Sequence, residues 1–258
     1  MSTNETKPKI WICVAAHKKF DNSSRLPEGY VPLQVGSEGK PELGFERDNT
    51  GDNISHKNGS YCELTGLYWM WKNVCADIVG LCHYRRYFSN RPLDRHLRSI
   101  LKEKQITKLM EKYDMVLPKP VNLGRKNVYE HYCSFHYEKD LLTTKEAIAT
   151  LYPEYVADFD AVMASTKTYQ CNMFIGKKEL ADAYCKWLFD VLQYVEDHTD
   201  ISEYDNVQKR IYGYLSERLF CVWLHHQDIK ICNKWYASTE LSMKMIVHTL
   251  KDKMHKAK

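Results

Sequence analysis

The sequence predicts an α/β fold, a single domain with a mainly parallel central sheet flanked by helices. Short apolar runs at 9–17, 77–82, 113–118, 169–176 and 229–236 alternate with segments of helical period. Strands interleaved with helices imply crossover connections, and crossovers favour parallel pairing. No internal repeat, low-complexity tract or linker divides the 258 residues, a length that suits one large domain or two small ones.

The elements follow in order. "KIWICVAAH" (9–17) is a first strand ending at His17. The segment 18–60 is rich in Gly, Pro, Asn, Asp and Ser and embeds a second short strand, "YVPLQVG". A loop this long in a compact domain either carries function or lacks order, and "GDNIS" (51–55) just before a helix favours function. Ser60 and Glu63 make an S-x-x-E capping box. Behind it Leu64, Leu67, Trp71 and Val74 recur at helical spacing. "DIVGLC" (77–82) is the next strand. A basic helix follows near 93–112, and "YDMVLP" (113–118) is a strand closed by Pro118-Lys119-Pro120. Residues 128–165 read as a helical insertion of two or three helices broken at Pro153. "YQCNMFIG" (169–176) is a strand, 177–198 and 206–227 are long helices, and 229–236 is a last strand. The core spans roughly 9–236, with a basic, weakly amphipathic tail over 237–258.

The chain is 44% hydrophobic and 27% charged, with net charge +4 and a sequence pI near 8.4. That suits an anionic small molecule or an anionic membrane surface. It falls short of a dedicated nucleic-acid domain, and the dispersed basic residues imply no nucleic-acid partner. Nine cysteines, with no C-x-x-C pair, argue against a disulfide scaffold or zinc ribbon and for a reducing compartment. No apolar run approaches 18 residues. The expected protein is soluble and cytoplasmic.

The most informative stretch is "GLCHYRRYF" (80–88), where an apolar run ends in His83, Tyr84, Arg85 and Arg86. Ligands of open α/β sheets bind beyond the carboxyl ends of the strands, which singles out His17, the "HYRR" cluster, Lys119 and the residues around Asn172. Two guanidinium forks and an imidazole suit a diphosphate. The alternative is an arginine pair salt-bridged to helix carboxylates. There is no P-loop, no G-x-G-x-x-G after a strand, no nucleophile elbow and no H-E-x-x-H. The D-x-D of the chain, "DFD" (158–160), falls in a predicted helix.

The motifs "VAAHKKFD", "VPLQVG", "DNTGDNISHKNGSYCELTGLYWMWKN", "IVGLCHYRRYF", "YDMVLPKP", "YQCNMFIGKKELADAYCKWLFDVL" and "GYLSERLFCVWL" occur in this order over roughly 9–236. Together they resemble a bacterial domain family of formerly unknown function, found in capsular and exopolysaccharide biosynthesis clusters and regarded as glycosyltransferases. The resemblance implies a GT-A-like fold. It implies transfer of a hexose, with galactose as the pathway-based guess, from a nucleotide-sugar donor, UDP-linked by expectation. The acceptor would be a glycan or a polyprenyl-diphosphate-linked sugar of capsule, exopolysaccharide or O-antigen synthesis. The alternative is a non-catalytic nucleotide- or carbohydrate-binding module on the same fold.

On that reading Arg85 and Arg86 neutralise the departing diphosphate as a metal would, and His83 donates a hydrogen bond to it. No cofactor is firmly implied. A manganese or magnesium ion stays open, although no D-x-D stands at a strand end. His17, Asp52, Asn53, Tyr61, Glu63 and Asn172 complete the donor-binding set. Asp52 and Asn53 equally suit turn chemistry, and Glu63 equally suits the capping box. Met173 and Phe174 read equally as core. Glu217 is the first choice of catalytic base and Asp205 the second, with a Glu217–Arg218 pair tying helices together as the alternative for Glu217. The lysines of the tail (Lys251, Lys253, Lys256, Lys258) either dock on the inner face of the membrane or lie solvated at a frayed terminus.

Overall fold

The computed structural model describes residues 7–92, 94 and 96–240. β1 (Ile10–Ala16), β2 (Tyr30–Gln34) and the short β3 (Glu46–Arg47) precede two helices, α1 (Asn58–Tyr61) and α2 (Leu64–Asn73). β4 (Ile78–His83) turns sharply into β5 (Arg86–Ser89), and α3 (Glu103–Met110) leads to β6 (Met115–Pro118). β7 (Val121–Asn122) and β8 (Lys167–Thr168) form a small ribbon bracketing α4 (Val128–Cys133), α5 (Glu138–Leu151) and α6 (Val156–Ala164). β9 (Phe174–Lys177), α7 (Lys178–Asp197), α8 (Ile211–His226) and β10 (Ile231–Ser238) complete the chain.

The main sheet runs β3-β2-β1-β4-β5-β10-β6-β9, and β9 also pairs with β4. Its last five strands therefore close on themselves. The expected mainly parallel sheet is instead mixed, with four of its eight pairings parallel and four antiparallel. Two features reverse direction. The Tyr84-Arg85 turn sends β5 back along β4, and the helical insertion returns the chain so that β9 enters antiparallel to β4. Element alternation in a sequence does not carry either fact.

Side chains of β1 alternate between two cores, as a strand covered on both faces requires. Cys13 and Ala15 join the apolar cluster that includes α2, α7 and α8. Ile12, Val14 and Ala16 join a second cluster with Tyr87, Phe88 and Ile106. Gly66 lets α2 approach the sheet, since a Cβ there would stand 2.7 Å from Val35 Cγ1. The insertion expected over 128–165 is present as three helices, of which α5 packs on α7 and α6 on α8.

Three local expectations change. The basic helix near 93–112 shrinks to α3. The strand expected from 169 begins only at Phe174, because Cys171 and Asn172 adopt left-handed backbone conformations, φ 73° and 50°. The Ser60–Glu63 capping box does not form. Cys62 at φ 55° breaks the helix between them, Ser60 Oγ donates to Lys57 O at 3.3 Å, and the Glu63 carboxylate is engaged elsewhere. Residues 237 and 238 of the expected tail finish β10. Its lysine-rich part, with the expected membrane contact, lies outside the described residues. Among those described, no helix is long and apolar enough to cross a membrane.

Candidate functional site

Parallel pairing brings the carboxyl ends of three strands together. Ala15 of β1 sits beside His83 of β4, and Ala16 beside Gln34 of β2. His17, Val35 and the His83–Arg86 turn therefore emerge at one edge, around a cavity of about 520 Å³. The opposite wall comes from Asn58, Cys62 and Glu63 at the α1–α2 break, from Cys171 ahead of β9, and from Arg210 and Glu217 at and in α8. β9 delivers Cys171 because Phe174 pairs with Leu81, two residues short of His83.

The wall is held by a hydrogen-bond net and by backbone strain. The Cys171 amide donates to Glu217 Oε1 at 2.7 Å. The Cys171 carbonyl accepts from His83 Nε2 at 2.7 Å. A carbonyl can only accept, so a neutral His83 carries its proton on Nε2 and keeps Nδ1 as the ring's acceptor. Asn172 Nδ2 donates to Glu63 Oε1 at 2.9 Å, and Arg218 donates to Glu217 Oε2 at 3.0 Å. Cys62, Cys171 and Asn172 are three of the four non-glycine residues with positive φ among those described. Each such conformation costs on the order of 1–3 kcal/mol and persists only where surroundings enforce it, commonly at functional sites.

The electrostatics are mixed in sign. Arg85 and Arg86 project from the turn, with Arg210 across the cavity. Arg85 donates to Glu240 at 2.5 Å, but this pair is largely solvent-exposed and so worth little. Arg86 makes no ion pair among the described residues. Arg210 Nε lies 3.2 Å from Cys62 Sγ. Burial lowers the His83 pKa, with Arg86 and Arg85 adding to the effect and Glu63 and the Cys171 carbonyl opposing it. His17 is lowered by burial and by Lys18 and Arg85. Burial raises Glu217, against the pull of Arg218 and of the Cys171 amide. The Cys171 thiol is pushed up to about 12 by burial, so it is no thiolate nucleophile near neutrality.

The expected site residues divide into two groups. His17, Glu63, His83, Arg85, Arg86 and Glu217 line one cavity, with Asn172 directly behind Glu63. Asp52, Asn53, Tyr61 and Asp205 lie outside its lining. Asp52 accepts from Tyr68 Oη, and Asn53 closes its own turn onto Gly51 and Ser55. Tyr61 donates to Glu196 at 3.0 Å. Asp205 caps the turn ahead of α8 by accepting from the Val207 and Gln208 amides. Lys119 instead lies over the Trp235 ring. The acids of "DFD" are engaged too, Asp158 by His225 and His226 and Asp160 by Lys145. No group of three or more His, Cys, Asp or Glu among the described residues is arranged to hold a metal ion.

Three wall residues escaped sequence reasoning. Arg210 sits in a polar stretch beside Lys209 with no strand end to mark it. Asn58 and Cys62 reach the cavity because of the α1–α2 break, and the apparent capping box concealed that break. The buried Asp48 behind them accepts from Ser37, Ser55 and Thr65 hydroxyls and from the Gly36 and Ser37 amides, which fixes the long 18–60 segment against α2.

Fold and site define a mixed α/β domain with a cationic, carboxylate-flanked cavity at its strand ends. The chain belongs to the family described as Domain of unknown function (DUF4422), whose model matches residues 11–228. It is also similar to a solved apo structure of the bifunctional glycosyltransferase WbbM, at 30% identity and a TM-score of 0.82 over 90% of this chain. The chain spans about half of that protein, 46% of its length. No curated protein matches.

Proposed function

We propose that this domain is a glycosyltransferase that moves a hexose from a nucleotide-sugar donor to a hydroxyl of a glycan or lipid-linked glycan. One observation carries the reading. Arg85, Arg86 and Arg210 converge with Glu63 and Glu217 on one cavity at the carboxyl ends of parallel strands. The similarity to part of a bifunctional glycosyltransferase supports it.

The chemistry follows from the groups present. Breaking the anomeric C–O bond leaves negative charge on the departing nucleoside diphosphate. Guanidinium forks aimed at that position stabilise it by charge-assisted hydrogen bonds. The acceptor hydroxyl must lose its proton as its oxygen bonds the anomeric carbon. Glu217 is the proposed base. Each of its oxygens carries one structural hydrogen bond and retains a second acceptor position. Its raised pKa brings it nearer to working pH, as general acid–base catalysis favours. Neutral His83 lines the same wall, and Asn172 positions Glu63. Asp205, Asp52, Asn53 and Tyr61 take no part in this scheme, because their polar atoms hold turns and helix contacts.

Thermal stability against UDP-, GDP- and dTDP-sugars, with and without manganese, tests the reading. A nucleotide sugar at about 100 times its dissociation constant stabilises by about 2.7 kcal/mol, a rise of about 5 °C or more. The expected result is a selective rise with one nucleotide, UDP first among them, that Arg86→Ala cuts by about half or more. No rise with any nucleotide sugar overturns the proposal.

A further inference from the structure

Chains of side-chain contacts connect the cavity to an aromatic surface that donor chemistry does not use. Phe135, in the turn between α4 and α5, is 62% exposed, and Val207, in the turn before α8, is 55% exposed. A phenylalanine left in water forgoes the stabilisation that burial of its ring would give. The two turns are tied together, since Gln208 Nε2 donates to Phe135 O at 2.8 Å and Gln208 Oε1 lies 3.0 Å from His136 Nδ1.

Two routes of contact lead from the cavity to Phe135. Arg210 lines the cavity and lies over the Tyr214 ring at 5.4 Å. Tyr214 stacks on His136 with ring centres 4.0 Å apart, and His136 is followed by the Gln208 bridge. On the other side Glu217 binds Arg218, whose Nη2 lies 3.4 Å from His131 Nδ1. The His131 ring lies 5.3 Å from that of Phe135. An exposed ring is thus fixed at the end of two chains of contacts that start at the proposed base and at a proposed diphosphate ligand.

We propose that Phe135, Val207 and the Tyr214–His136 stack form a subsite for a pyranose unit of the acceptor beyond the unit whose hydroxyl is glycosylated. The assignment rests on the transferase reading. A pyranose has an apolar C–H face whose slightly positive hydrogens suit the negative face of an aromatic ring. Its rim of hydroxyls needs donors and acceptors around that ring. Phe135 offers the face, with His131 and Gln208 beside it as hydrogen-bonding groups and Arg210 farther along, across the Tyr214–His136 stack. A protein-docking surface would need a broader contiguous apolar patch, whereas here the polar Gln208 and His136 adjoin Phe135. The helical insertion then has a use, because its first turn carries the acceptor platform.

The test is saturation-transfer NMR on the full chain with malto-, cello- and galacto-oligosaccharides of two to four units, in the presence of UDP. Transfer is expected from the protein to C–H protons of at least one series. Phe135→Ala should weaken that binding about fivefold or more. Leu151→Ser is the control, an exposed leucine at the far end of α5, roughly 20 Å along the helix, and should retain it. Binding that Phe135→Ala leaves unchanged overturns the proposal, as does no binding to any series. Nucleotide-sugar binding by thermal shift is read separately. If it succeeds while no oligosaccharide binds, the platform fails and the transferase reading stands. If oligosaccharides bind through Phe135 and no nucleotide sugar does, the surface binds sugar, but the transferase reading fails and with it the acceptor assignment.

Discussion

On the proposed reading, Arg86 is the residue on which donor recognition would turn. Among the described residues it has no ion-pair partner, whereas Arg85 already meets Glu240. A guanidinium held at a strand end without a carboxylate is free to grip an anion. Hydrogen bonds to charged groups contribute about 1.5–3 kcal/mol each. Arg86→Ala should therefore weaken nucleotide-sugar binding roughly 10- to 100-fold by calorimetry and leave the melting temperature near that of the parent. Unchanged affinity would remove the diphosphate assignment. Glu217→Gln separates binding from chemistry. The amide keeps an oxygen to accept from Cys171 or Arg218 but loses the ability to take a proton. Donor affinity should hold within a few-fold while turnover falls about 10²–10⁴-fold, and equal turnover would dismiss Glu217 as the base.

At the scale of elements, the site depends on how closely β4 and β9 approach. A Cβ on Gly80 would lie 2.6 Å from the Phe174 carbonyl oxygen and 3.0 Å from Ile175 Cγ1. The first of these atoms is backbone and cannot rotate away, so the strands must part. Gly80→Ala should destabilise by about 1–3 kcal/mol, measured by urea unfolding, and should disturb the Cys171 turn that leads into β9. Stability equal to the parent would mean that the β4–β9 contact is looser than described. Strands β1, β2, β4, β6, β9 and β10 and the long helices were legible in the sequence because apolar runs and helical periodicity are local signals, whereas the short β3, β5, β7 and β8 were not. The "HYRR" cluster was legible because a charged group ending an apolar strand is a local signal too. What escaped reading was non-local. Ser60 and Glu63 have the spacing of a capping box, yet Asn172, more than a hundred residues away, takes the Glu63 carboxylate. Likewise no local signal near Arg210 says that α8 will carry it to the ends of β1 and β4.

The whole molecule should record the site's burial as a dependence of stability on pH. His17, His83, His131 and His136 all have pKa values below the ordinary 6.5, burial being the largest cause in each. A lowered value means that the folded state prefers the neutral ring, while the unfolded chain protonates near 6.5. Their stabilisation is thus present above pH 6.5 and is lost as pH falls through the lower folded values. Glu217 is shifted the opposite way. Its folded value is raised, so its contribution is present below the unfolded value, near 4.3, and is lost as pH rises through the folded one. On acidification from pH 7.5 to 5.5 the histidines lower the melting temperature, and Glu217 offsets part of the fall in the window between its unfolded and its raised folded value. His83→Gln can keep an Nε2 donor for the Cys171 carbonyl but cannot titrate, so its melting temperature should fall less steeply than the parent's over this range. One full proton corresponds to about 1.4 kcal/mol per pH unit, which is the ceiling on the difference. Glu217→Gln removes the opposing group and should fall more steeply than the parent as pH drops from the raised folded value of Glu217 towards its unfolded one. The two variants are thus expected to diverge from the parent in opposite directions, and three parallel melting curves against pH would refute the placing of His83 and Glu217 in one desolvated wall.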